Sequence, residues 1–349
     1  MRIIDDLLRE AKDAAASDVH ISPERLPFFR IDGKLQPVGD QPLTEEEVAQ
    51  MVATMLGQHP HIQDVVATER QGDFSYALGD GTRFRVNVFY RLNKLAAALR
   101  LVPEAVHTID ELHLPPQAMQ FAEMKQGFVL VVGPAGHGKS TTLAALIDYI
   151  NQSRRDHIIT IEDPIEYQFK EKMSIIDQRE VGQDASTFAQ AVRAVLRQDP
   201  NVIMIGELRD LETMQTAITV AETGHLVLAT LHTNDAGQTV ERLIDSFPPA
   251  QQGQIRSQLS VALSGVISQR LLPWTQGGRI PAIEIMIATP AIRNVIREGN
   301  IHQILGIIQT SSDVGMQTLD ASLQALVDAG AVRLEDARPY FSSVKLLSR

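Results

Sequence analysis

The run Gly133-Pro134-Ala135-Gly136-His137-Gly138-Lys139-Ser140-Thr141 constrains this 349-residue chain more than any other stretch. It fits the phosphate-loop pattern of glycine, four residues, then Gly-Lys-Ser/Thr. The apolar run Phe128 to Val132 precedes it and reads as a buried strand. Behind it, Leu143, Ala144, Leu146, Ile147 and Ile150 recur at helical spacing. A loop joining a strand to a helix binds phosphate for physical reasons. Glycines let backbone N–H groups approach phosphate oxygens with no Cβ in the way. The helix N-terminus adds a favourable dipole. In that geometry Lys139 reaches the β- and γ-phosphates, and the Ser140 hydroxyl ligates Mg²⁺.

Composition narrows the class. The length suits two domains or slightly more. Apolar residues make up 44% of the chain, enough for sizeable cores, and charged residues only 21%. There is no cysteine, which excludes disulfides and thiolate metal sites. A net charge of −11 argues against a nucleic-acid partner. No apolar run reaches the roughly 18 residues of a membrane span. The N-terminus carries Asp5 and Asp6 and no apolar signal core. The expectation is a cytoplasmic protein that is not inserted in a membrane and reaches one through a partner.

Along the chain, residues 2–16 read as a helix with Ile3, Ile4, Leu7, Leu8 and Ala11 on one face. Ser17 to Ile21 alternates like a strand, and Leu26 to Val38 reads as a hairpin turning at Asp32-Gly33. Thr44 and Glu47 form a capping box for a helix that ends at Gly57. A second hairpin runs Asp73 to Tyr90, followed by the apolar run Leu95 to Val102. Residues 1–102 are therefore a mixed α+β domain. Residues 103–116 carry three prolines and read as a linker. From 117 to 349 apolar strands alternate with helices, which implies a mostly parallel sheet covered on both faces. The expected strands are Phe128–Val132, Ile158–Ile161, Val202–Ile205 and His225–Leu231. From Pro249 the chain reads as helical, with one late strand at Ile280–Ile287.

Parallel strands place their C-terminal ends on one edge, where ligands bind. Three further stretches should meet the phosphate loop there. Thr160-Ile161-Glu162-Asp163-Pro164-Ile165-Glu166 leaves a strand and carries three carboxylates, one of which could orient an attacking water. Val202 to Ile205 ends at Gly206-Glu207 and resembles a Walker B strand, with Glu207 placed to hold Mg²⁺ through water. His225 and His232 flank a strand, with no third group at metal-ligand spacing. A cation against transition-state charge could come from Arg83, Arg85, Arg91 or Arg100 on the hairpin strands.

These four stretches, in this order, resemble the Walker A, Asp box, Walker B and His box of the secretion ATPase superfamily of type II secretion and type IV pili. Ala16-Ser17-Asp18-Val19-His20 looks like that superfamily's N-terminal signature, and Ile267 to Leu271 like its post-core helix. Ala291 to Glu298 and Gly315 to Asp320 are similar to C-terminal motifs of the branch that retracts pili. Assembly members of the superfamily carry an extra leading domain and usually a four-cysteine zinc motif, so the resemblance implies the retraction branch, for which neither is expected. The resemblance implies a PAS-like N-terminal domain followed by a RecA-like P-loop ATPase domain with a helical C-terminal region. It implies a homohexamer that hydrolyses ATP with Mg²⁺ between its domains and powers type IV pilus retraction. The implied partners are an inner-membrane pilus platform protein and a paralogous retraction ATPase. Glu166 would be the general base and Glu207 the Walker B acid. His225 and His232 would couple the γ-phosphate to domain position. Ala135 and His137 stand where relatives usually carry Thr and Ser, and the hairpin at Asn93 departs from their pattern. That leaves Arg91, Lys94 or Arg100 to serve in place of the arginine supplied by a neighbour, with Arg85 a further candidate. An accessory or assembly ATPase, or a nucleotide-bound ring subunit with little turnover, are the alternative readings.

Overall fold

The computed structural model describes residues 3–31, 34–57, 59–103 and 105–342. The Asp32-Gly33 turn lies outside them. The chain divides into two compact units, Met1–Glu104 with Pro164–Gln168, and Ala105–Asp163 with Phe169–Arg349.

The first unit contains α1 (Ile4–Asp13), β1 (Asp18–Ile21), β2 (Phe28–Ile31), β3 (Lys34–Pro37), α2 (Glu45–Leu56), α3 (Pro60–Glu69), β4 (Gln71–Ala77), β5 (Arg83–Arg91) and β6 (Lys94–Leu101). Its sheet is antiparallel, in the order β3-β2-β1-β6-β5-β4. Alternation along β5 explains the layering. Phe84, Val86 and Val88 are buried, while Arg83, Arg85 and Asn87 between them are only half-buried. The buried row packs with Leu7 and Leu8 of α1 and with Val48, Met51 and Met55 of α2. The Thr44–Glu47 capping box forms as expected, with both reciprocal bonds made. Helix α3 went unread in the sequence. Its start is fixed by Pro60 in the first turn, where a missing N–H costs nothing. The β5–β6 turn is built by Leu92 and Asn93, both at positive φ, the type I′ geometry that matches strand twist.

The second unit continues with α4 (Gln117–Glu123), β7 (Gly127–Val132), α5 (Lys139–Ser153), β8 (His157–Glu162), β9 (Ile175–Glu180), α6 (Phe188–Val195), β10 (Val202–Ile205), α7 (Leu211–Glu222) and β11 (Leu226–Leu231). It ends with α8 (Ala236–Asp245), α9 (Pro249–Ala262), β12 (Leu263–Pro273), β13 (Arg279–Ile287), α10 (Pro290–Glu298), α11 (Ile304–Thr310), α12 (Leu319–Asp328) and α13 (Leu334–Ala337). The strand order is β13-β12-β7-β11-β10-β8-β9, parallel except for β13. Strand β7 is buried throughout and feeds two cores. Phe128, Leu130 and Val132 face one, and Val129 and Val131 the other. The fold is thus α/β: a PAS-like α+β unit, then a RecA-like unit with a helical C-terminal region. Ile109 and Leu114, from the stretch read as a linker, are buried in the second unit's core.

One expectation is corrected here. Residues 267–271 are not a helix. They belong to β12, which pairs with β7 on one side and β13 on the other. The helix was implied by the resemblance alone, and the polar residues Ser268, Gln269 and Arg270 within the stretch are all buried. A central strand covered on both faces loses its alternation, so periodicity could not reveal it. Gly265 in β12 marks a close approach. A Cβ there would lie 2.1 Å from the Phe121 ring and 2.9 Å from the Met286 carbonyl oxygen. Gly265→Ala should therefore destabilise the second unit by about 1–3 kcal/mol. A urea titration would read this as a lowered midpoint, and an unchanged midpoint would mean that the ring yields freely.

Candidate active site

Four neighbouring strands, β7, β11, β10 and β8, carry the phosphate loop, the His box, the Walker B acid and the Asp box past their C-terminal ends, in that spatial order. The loop closes between Val132 and α5, whose N-cap Gly138 takes the left-handed φ of +83°. Gly133 is required by space. A Cβ there would stand 2.5 Å from the Gln269 carbonyl oxygen. Lys139 is buried at the head of α5. Its ammonium donates to the carbonyls of Gly133 (2.9 Å) and Pro134 (3.0 Å) and to His232 Nδ1 (3.3 Å).

A lysine ammonium only donates, so His232 Nδ1 accepts and the ring proton sits on Nε2. Nε2 lies 3.4 Å from Glu207 Oε2. Glu207 also pairs with Arg209, whose other arm lies 3.4 Å from Asp163. One polar chain therefore links the phosphate loop, the His box, Walker B and the Asp box: Lys139, His232, Glu207, Arg209, Asp163. Arg209 was overlooked in the sequence, although it stands two residues past the Walker B acid. Hydrogen bonding to Glu207, above all, holds its pKa above the ordinary arginine value.

The other expected residues divide. Glu162 is buried and accepts from Thr160 Oγ1 (2.7 Å) and Gln178 Nε2 (3.3 Å). Glu166 belongs with the first unit, where Arg85 donates to its carboxylate at 3.3 Å. Arg91 donates to Ser22 Oγ (3.3 Å) and Arg100 to Asp18 (2.8 Å). His225 is not brought to the loop. It precedes β11 at the strand's N-terminal end and sits 3.2 Å from the Val220 carbonyl. The six residues of β11 separate it from His232 by about 20 Å of strand rise. Strand polarity is the reason: residues flanking one strand lie on opposite sheet edges.

Ser140 and Thr141 open α5. Beside them lies a cavity of about 290 Å³, lined in part by Gly138, Thr141, Thr142, His113 and Trp274. His113 and Trp274 meet edge to face at 4.9 Å. The far wall of the loop is β12. Gln269 bonds Thr142 and the His137 carbonyl, and Arg270 donates to the carbonyl and side-chain oxygens of Asn234. Neither was assigned a site role from sequence, because their function depends on a strand that periodicity did not show. Among the described residues, no group of three or more His, Cys, Asp or Glu could hold a metal by itself.

A buried strand, glycine loop and helix, with the loop lysine wired to a Walker B acid across a parallel sheet, define a P-loop ATPase of the RecA-like class. Within that class the chain belongs to the Type II/IV secretion system protein family, whose model matches residues 1–337. The type IV pilus retraction ATPase PilT of Pseudomonas aeruginosa is 43% identical over 96% of this chain and 97% of its own. A twitching motility protein of Neisseria gonorrhoeae is 46% identical over 89% of this chain and 83% of its own. The crystal structure of the pilus retraction motor PilT with bound ADP matches with a TM-score of 0.91 at 45% identity, over 100% of both chains. No helix among the described residues is long and apolar enough to cross a membrane.

Glu284 of β13 braces the His-box loop from beneath. It is buried and accepts the Ala236 N–H at 2.8 Å, at the start of α8. Burial, chiefly, pushes its pKa up to about 7. The folded chain thus keeps this proton while the unfolded chain releases it near the ordinary 4.5. The group's stabilising contribution is full below 4.5 and is lost as pH rises towards 7. Glu284→Gln keeps an acceptor for Ala236 and removes the titration. Its stability relative to wild type should improve between pH 5 and pH 8 by on the order of 1–3 kcal/mol. Parallel urea curves at the two pH values would contradict this.

Proposed function

We propose that this protein is an ATP-driven motor of type IV pilus retraction, working as a homohexamer. The observation that carries the reading is the bonded chain from Lys139 through His232 to Glu207, which ties the phosphate loop to the groups that respond to the γ-phosphate. Similarity to PilT over nearly the full length of both chains gives the reading its biological setting.

In this reading ATP lies with its phosphates on the loop N–H groups and its nucleoside in the cavity beside Thr141 and Thr142. Gly133 to Thr141 cradle the phosphates, and Lys139 neutralises their charge. The oxygen donors suit Mg²⁺ shared with phosphates and waters: the Ser140 hydroxyl directly, and Glu207 through water. The ion would supply charge neutralisation on the transferring phosphate. His232 relays the state of the phosphate to Glu207 through its two ring nitrogens. All three Asp-box carboxylates are engaged: Glu162 with Thr160 and Gln178, Asp163 with Arg209, and Glu166 with Arg85. Glu166 is assigned as the general base that orients the water, and Arg85, Arg91 or Arg100 as the cation supplied in a ring. The motor would act in the cytoplasm against an inner-membrane platform protein, alone or with a paralogous ATPase.

Two measurements test this. Lys139→Ala should abolish ATP hydrolysis by the purified chain, and Glu166→Gln should slow it at least about a hundredfold while keeping ATP binding. Rapid turnover in the second variant would move the base to Glu162 or Asp163. In cells lacking the gene, pili should accumulate and fail to retract, with rescue by wild type and not by Lys139→Ala. Bald cells would instead identify an assembly motor.

A further inference from the structure

His137 occupies the fifth position of the phosphate loop, and its ring turns towards β12. Its Nδ1 accepts the Leu271 backbone N–H at 3.0 Å. Its carbonyl accepts from Gln269 Nε2 at 2.5 Å, while Gln269 Oε1 accepts from Thr142 Oγ1 at 2.8 Å. Arg279 of β13 donates to the neighbouring Gly136 carbonyl at 3.1 Å. The Tyr340 ring meets the imidazole edge to face, with centroids 6.5 Å apart. The middle of the loop is thus fastened to β12 by two hydrogen bonds and to β13 by one. An acceptor at Nδ1 also fixes the tautomer, with the proton on Nε2.

We propose that His137 is a positioning residue for nucleotide binding, clamping the phosphate loop to β12 through the Leu271 N–H so that the loop amides are held ready for phosphate. The proposal rests on the reading of this loop as the nucleotide site and adds a residue that acts through the loop backbone. The need for a clamp follows from the loop's composition. Gly133, Gly136 and Gly138 all take positive φ, and glycine loses the most freedom when ordered. Fixing the loop before the ligand arrives removes part of that cost from binding.

The clamp depends on an unprotonated Nδ1. The groups facing the ring are Lys139 from α5, Arg270 from β12, Arg279 from β13 and Tyr340 from the C-terminal turn. Burial, then the three cations, holds the His137 pKa below the ordinary 6.5. The clamp is therefore intact at neutral pH and opens only as pH falls through that lowered value.

The test uses the full chain, titrated with a fluorescent ADP analogue and assayed for ATP hydrolysis. His137→Ala should weaken ADP binding and raise the KM for ATP roughly tenfold, since the half-buried Leu271 N–H loses its acceptor. The same variant should change kcat less than about threefold, because the lost interaction serves binding. His137→Asn, with an amide oxygen near the position of Nδ1, should recover most of the affinity. Wild-type affinity should fall on acidification below 6.5, and that of His137→Asn should fall less. If His137→Ala does not fold, the comparison of wild type with His137→Asn across pH still decides. Wild-type ADP affinity in a folded His137→Ala would overturn the proposal, as would parallel pH profiles for wild type and His137→Asn. Undiminished hydrolysis in Lys139→Ala would instead refute the nucleotide site itself, and the clamp with it.

Discussion

The closeness of the phosphate loop to β12 governs the second unit. At Gly133 there is no room for a single extra carbon against the Gln269 carbonyl. This approach is possible because β7 and β12 are adjacent parallel strands in a sheet covered on both faces. Burial of the apolar strands sets the sheet. The sheet sets where the loop must turn, and the loop then takes its polar partners from the strand beside it. Gln269 and Arg270 are buried without large penalty because each finds carbonyl or hydroxyl partners on the loops they support.

The electrostatics of the edge follow the same order. Lys139 is held by two carbonyls of its own loop and by His232, which fixes the histidine tautomer. The tautomer presents an N–H to Glu207, and Glu207 is balanced by Arg209. The chain's overall acidity therefore does not describe this edge. Next to the loop, Lys139, Arg270 and Arg279 make the local field positive, which suits a polyphosphate and disfavours a protonated histidine among them.

Much of this was legible in the sequence, and the pattern of success has a physical cause. The phosphate loop, the capping box at Thr44 and the strands ending at Glu162, Ile205 and Leu231 are local signals. A few adjacent residues determine them. What stayed hidden depended on distant chain. β12 carries buried polar residues, and the partners of Gln269 lie more than a hundred positions away, where no local pattern could show them. His225 shared a stretch with His232, but strand direction sent them to opposite edges. Helix α3 offered little beyond the proline at its start. Ile109 and Leu114 belonged to a core that proline content alone could not foretell.

The sequence distances within the site carry a consequence for how the protein is made. Lys139 meets a histidine 93 positions further on, and Thr142 meets a glutamine 127 positions further on. When the loop leaves the ribosome, neither its relay nor its supporting strand has been synthesised. At roughly 5–20 residues per second, several seconds pass before β12 can take its place beside β7. The nascent chain holds a glycine-rich loop without its scaffold for that interval. Nucleotide binding is then among the last properties this unit acquires, and its appearance during synthesis would time the insertion of one central strand.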